Sequence, residues 1–169
     1  MFRHLINWLR LRAKIDRMGF SDELHIEQWR DGKKIVDRVI KGRCPTNAGF
    51  ALVADRVGAV VGGAAVTYLA LGTGATGEVP ANTTLEAEIT DTGLARAAAT
   101  VSRVTTTVTN DTLQLLYEWT ATGVKILREI GAFNAAAAGT MLARKTYAAI
   151  TTADTDHVKM TYKFPFSAA

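Results

Sequence analysis

The chain contains one cysteine, three histidines and no long uncharged apolar run. Cys44 alone cannot form an internal disulfide, so the fold does not depend on an oxidising compartment. A free thiol is expected there rather than a bridge to another chain. No segment supplies the ~18 or more apolar residues of a membrane span. Near the start, Arg10, Arg12, Lys14 and Asp16 interrupt any signal-peptide core. The expectation is a protein made and folded in the cytoplasm. His4, His25 and His157 fall in three separate elements without metal-ligand spacing, and no Cys-His or serine-elbow motif is present. No metal, cofactor or enzymatic activity is expected. Net charge is +4, and beyond the first 17 residues the Lys and Arg are dispersed rather than gathered into a patch. A nucleic-acid partner is therefore not expected.

What the chain does have is alternation. Val158-Lys159-Met160-Thr161-Tyr162-Lys163-Phe164 places Val, Met, Tyr and Phe on one side and Lys, Thr, Lys on the other. That is the period of a strand with one buried and one wet face. Similar runs lie at Ala97 to Val108, Leu113 to Thr120, Lys125 to Phe133 and Met141 to Ile150. In the run before Thr120, Leu113, Leu115, Tyr117 and Trp119 are expected to face inward. Upstream, Glu23 to Trp29 and Lys34 to Ile40 flank Asp31-Gly32, a strong hairpin signal. With Val66 to Leu71 the count is about eight strands, enough for two four-stranded sheets packed face to face. The fold class expected is mainly β: a jelly-roll-like antiparallel β-sandwich with an N-terminal amphipathic helix and one or two short helices. One short helix is expected at Ala48 to Val57, N-capped by Thr46, with Phe50, Leu52, Val53 and Val57 available to the core. Another is suggested by a capping-box pattern at Thr83-Thr84-Leu85-Glu86.

Two further stretches bear on function. Gly72-Thr73-Gly74-Ala75-Thr76-Gly77 follows a strand, but no Lys-Ser/Thr and no long helix come after it. A wide surface loop is expected there, not a phosphate cradle. Glu86, Glu88 and Asp91 beside it lack the spacing of a calcium loop and are expected to be solvated acids. The chain divides into an N-terminal helical arm, 1–19, and a β-sandwich domain, 20–169. In the arm, Phe2 to Met18 reads as a helix ending at Gly19, with Leu5, Trp8, Leu9, Arg12 and Ile15 on one stripe. Such a stripe must be covered. Three readings stay open: an arm docking on a partner, a helix folded back on its own domain, or an interfacial membrane helix.

The order of several short segments resembles small structural proteins of tailed bacteriophages. The segments are Tyr68–Gly74, Thr83–Ile89 with Arg96, Asn110–Leu115, Glu129–Ala135 and Gly139–Arg144. The resemblance implies a non-enzymatic virion protein, either a capsid decoration (cement) protein or a tail-fibre or related tail subunit. It brings no catalytic residues with it. The lead expectation is a decoration protein, a trimer or dimer, that stabilises a phage head by bridging capsomers. Its partner would be the major capsid protein or another virion protein, with Phe2, Leu5, Trp8, Leu9 and Arg12 as candidate partner-binding residues. A carbohydrate-binding sandwich module, using Trp29 or Tyr147, is the alternative from a different class.

Overall fold

Alternating Leu24, Ile26 and Gln28 turn inward along the second strand while Glu23, His25, Glu27 and Trp29 turn outward, and this pattern sets up the first sheet. The computed structural model describes residues 18–43, 45–58 and 63–168. In chain order these form β1 (Met18–Phe20), β2 (Asp22–Arg30), β3 (Lys33–Gly42), α1 (Asn47–Gly58), β4 (Tyr68–Gly72) and β5 (Ala97–Ala98). Then follow β6 (Thr100–Val104), β7 (Thr112–Thr120), β8 (Ile126–Phe133), β9 (Met141–Thr151) and β10 (His157–Ala168). The β2–β3 hairpin turns at Asp31 and Gly32, whose φ values of 50° and 72° suit the tight turn expected there.

The strands make two antiparallel sheets, one of six strands ordered β3-β2-β10-β7-β6 with β1 also on β10, and one of four ordered β5-β4-β8-β9. The β-sandwich expected from alternation is thus the fold, although the split is six and four rather than four and four. β10 is the spine of the larger sheet. Met160 lies between Ile26 of β2 and Tyr117 of β7, and β1 extends the β2 side as far as Met18 opposite Ala168. Val158, Met160, Tyr162 and Phe164 are fully buried between the sheets, as their spacing requires. They pack with Leu24, Ile26, Leu115 and Trp119 against Leu69, Leu71, Leu127 and Ile130 of the other sheet. Burying each such side chain is worth about 1.5–3 kcal/mol. Leu113 and Tyr117 reach the core only in part.

Several sequence expectations are corrected. Ala97 to Val108 is not one strand. At Ala99 the chain leaves β5, paired with β4, and enters β6, paired with β7. Beyond Val104 the strand stops because the Asp111 carboxylate accepts the backbone N–H of Thr106, Thr107 and Val108 at 2.8–2.9 Å. Those hydrogen bonds, that of Val108 foremost, hold the Asp111 carboxyl well below the usual carboxylate range. The capping box at Thr83–Glu86 forms no helix, because the Glu86 side chain accepts from Thr76 N and Oγ1 at 2.8 Å instead of returning to its own turn. Met18 and Gly19, read as the end of a helix, belong to β1; the rest of the proposed arm helix lies outside the described residues.

α1 begins where expected: Thr46 Oγ1 accepts from Gly49 N at 2.8 Å. Leu52 is its buried anchor, whereas Phe50 and Val57 are 49% and 85% exposed, so half of the inward face read from sequence points outward. Phe20 closes this end of the sandwich, with ring centroids 5.7 Å from Phe50 and 5.1 Å from Phe166. The segment leading into α1 and Glu78, from the loop after β4, together cover the free edge of β9. Thr46 N donates to Leu142 O, Pro45 bridges Ala143, and the Glu78 carboxylate accepts from Thr146 N.

Candidate functional site

β8 is buried on both faces. Leu127, Ile130 and Ala132 enter the main core, and a bulge between Leu127 and Glu129 changes the phase of the strand. Glu129 and Phe133 therefore face the opposite way, under the loop that runs from Gly72 to Ile89. A second, smaller core forms there from Ala70, Leu85, Phe133 and Met141.

At the centre of this layer lies a fully buried carboxylate. Glu129 accepts from three loop N–H groups, Gly74 at 3.1 Å, Glu86 at 3.1 Å and Ala87 at 2.8 Å. Its fourth donor is Arg144 Nε at 2.7 Å, from a side chain that is 2% exposed. Arg144 also donates to Asn82 Oδ1 at 3.2 Å and approaches Glu86 at 3.5 Å. A carboxylate has about four lone-pair positions, and here all are occupied. Glu129 is thus closed to substrate or ion and works as the peg that holds the glycine loop. Gly74 sits against that peg: a Cβ there would stand 2.5 Å from Glu129 Oε1 and from the Glu86 Cβ. The glycine loop is the surface loop expected, with residues 75–77 exposed, but it is fastened at its base, and its N–H groups at Gly74 and Thr76 already serve carboxylates.

Beside the peg, Arg96 makes a two-pronged ion pair with Glu88 at 2.9 and 2.7 Å and lies 3.7 Å over the Phe133 ring. It also donates to the carbonyls of Ala135 and Ala138, at 3.0 and 2.8 Å, which fixes the β8–β9 turn. Asp91 pairs with Lys125 at 2.9 Å. Of the three loop acids expected to be solvated, Glu86 and Asp91 are exposed although paired, and Glu88 is largely covered by its pair with Arg96. The Thr76 hydrogen bonds, that of the backbone N–H foremost, hold the Glu86 carboxyl below its ordinary value.

Two more buried carboxylates fasten the chain: Asp22 ties the larger sheet to the smaller, and Asp156 holds the β9–β10 turn against β2. Asp22, fully buried, accepts from Lys145 Nζ at 3.1 Å and Tyr162 OH at 2.7 Å. Asp156 accepts from Arg30 Nε at 2.8 Å and Nη2 at 2.7 Å, from Gln28 at 2.7 Å and from Ala153 N at 2.8 Å. The Arg30 guanidinium is the main reason its carboxyl is lowered to about 2. No motif search finds these groups, because each unites residues more than 120 positions apart. The available signal was weaker: an acid or base at an inward-facing strand position.

The outer face of the larger sheet is a ladder of opposite charges. Glu23 meets Lys41 and Lys163, each at 3.3 Å, and Glu27 meets Lys34 at 2.7 Å and Lys159 at 3.1 Å. His25 meets Asp37 at 2.7 Å, and His157 meets Glu118 at 3.0 Å. His25, Glu27 and Asp37 approach one another closely enough to consider a cation. Two lysine ammoniums already hold Glu27, however, and Asp37 is taken by His25 and Lys34. Trp29 is half-buried on this face, with the Lys34 and Lys159 ammoniums 5.2 and 5.8 Å from its ring centroid. Tyr147, its companion in the carbohydrate reading, is a buried core residue whose OH donates to Glu129 O at 3.3 Å. It offers no exposed ring.

The candidate partner-binding residues Phe2, Leu5, Trp8, Leu9 and Arg12, together with Cys44, lie outside the described residues. No described helix is long and apolar enough to cross a membrane. Compared with known proteins, the chain matches no family model, no curated protein and no solved structure.

Proposed function

We propose that this chain is a non-enzymatic structural subunit of a tailed-bacteriophage virion, a decoration protein that binds the head and stabilises it by bridging capsomers. The observation that carries the reading is the meeting of the segments on which the phage resemblance rests. Gly74, Glu86, Glu88, Arg96, Glu129, Phe133 and Arg144 come from four separate segments, and they form one fastening under the glycine loop. Its polar groups hold one another rather than presenting an open site, which suits a subunit built for rigidity. A decoration subunit must resist shear on a shell, and a loop pegged to a buried ion pair supplies stiffness without a ligand.

In this proposal the protein assembles as a trimer or dimer on the major capsid protein. The arm anchors it there through Phe2, Leu5, Trp8, Leu9 and Arg12, an apolar stripe of the kind that docks in a groove. The virion is its destination, after assembly in the bacterial cytoplasm. Copy number per purified particle tests the reading: hundreds of copies fit decoration, a dozen or fewer move it to the tail, and absence from particles overturns it. Deleting residues 1–17 should abolish attachment to heads; undiminished attachment would refute the role given to the arm.

A further inference from the structure

The sandwich treats its long edges unequally. β9 is covered by Pro45, Thr46 and Glu78, whereas no described residue hydrogen-bonds to the backbone along the outer edge of β3. β6 and β5, at the opposite ends of the two sheets, have five and two residues; β3 has ten. A long bare edge is a template for another strand.

We propose that the free edge of β3 takes up an extended acidic segment of a partner protein as a further strand of the six-stranded sheet. Charge selects the occupant. β3 carries Lys33, Lys34, Arg38 and Lys41 against the single acid Asp37. Glu27 and Glu23 neutralise Lys34 and Lys41. Lys33 and Arg38 have no carboxylate partner among the described residues. Arg38 is nevertheless held in place, since Nη1 donates to Ala148 O at 2.9 Å. A second copy of this chain would bring the same excess of positive charge to the same edge, and like charges set opposite each other destabilise strand pairing. An acidic strand would meet Lys33 and Arg38, the two cations of β3 without a carboxylate among the described residues, and also the exposed side chains of Ile35 and Val39, which are 48% and 54% accessible. The favoured occupant thus alternates Asp or Glu with β-branched apolar residues. The proposal does not depend on the virion reading, because its test needs no particle.

The probe is a short blocked peptide alternating valine and glutamate, added to the isotope-labelled full chain. Amide shifts and slowed hydrogen exchange should appear along Lys33 to Lys41. Two control peptides separate the causes: one with lysine for glutamate, and one N-methylated along one edge so that it keeps its charge but cannot donate. Both should fail to bind. The double variant Lys33→Glu/Arg38→Glu should weaken binding about ten-fold. Equal binding of either control, shifts mapping to another face, or dimerisation through β3 without peptide would each overturn the proposal. The N-methylated control leaves the protein unaltered, so the test stands even if the double variant misfolds.

Discussion

Replacing Glu129 by alanine removes one acceptor from four donors at once. Arg144, only 2% exposed, would lose its nearest carboxylate, and the N–H groups of Gly74, Glu86 and Ala87 would lose their acceptor. Breaking a buried ion pair from one side costs about 3–5 kcal/mol. Each N–H left without a partner adds about 1–3 kcal/mol, less whatever water recovers by entering the hole. The expected loss is therefore at least about 5 kcal/mol, comparable with the whole stability of many domains. Arg144→Met is milder, because Glu129 keeps three N–H donors; about 2–3 kcal/mol is expected from the lost charged hydrogen bond. The decisive variant carries both Glu129→Leu and Arg144→Met. An isolated buried ion pair can be exchanged for apolar residues at little cost. Here the three loop N–H groups would still lack an acceptor, so stability should remain well below that of the parent. Urea unfolding followed by tryptophan emission, with Trp119 buried as reporter, measures all three. Exchange at amides 74, 86 and 87 locates the loss. Parental stability in the double variant would refute the idea that Glu129 pegs the loop.

Gly74→Ala should cost roughly 1–3 kcal/mol by displacing the loop from Glu129, with amide shifts centred on that loop. Thr46→Ala should cost about 2 kcal/mol in urea unfolding, since it removes both the α1 cap and a tie to the Met141 carbonyl. For Asp156 the folded carboxyl lies at about 2 against an ordinary value of 3.8. Its contribution, about 2 kcal/mol, is present above pH 3.8 and lost as pH falls through about 2. The stability gap between the parent and Asp156→Asn should therefore close across that window. A gap unchanged down to pH 2 would remove the Arg30–Asp156 pair from the explanation.

The strands were legible because their physics is local. Val158 to Phe164 declares its buried face by alternation, and Asp31-Gly32 declares its turn by the backbone angles it tolerates. Where reading failed, a competing contact had intervened. Thr-rich residues after Val104 have strand propensity, but Asp111 captures their N–H groups. Glu86 has the spacing of a capping box, but Thr76 claims its carboxylate. Phe50 and Val57 fit a helical stripe, yet α1 meets β9 along a narrower line than their spacing suggests. The peg itself was half visible. Glu129 and Arg144 both belonged to segments marked as resembling phage proteins, but a bulge in β8 decided that they would meet.

Imaging the intact particle is the direct test of the proposal that this chain decorates a phage head. A sandwich of six and four strands should repeat over the outer surface of the head, with the chain before Met18 reaching into the coat. Density for this sandwich confined to the tail, or missing from the particle altogether, would contradict it.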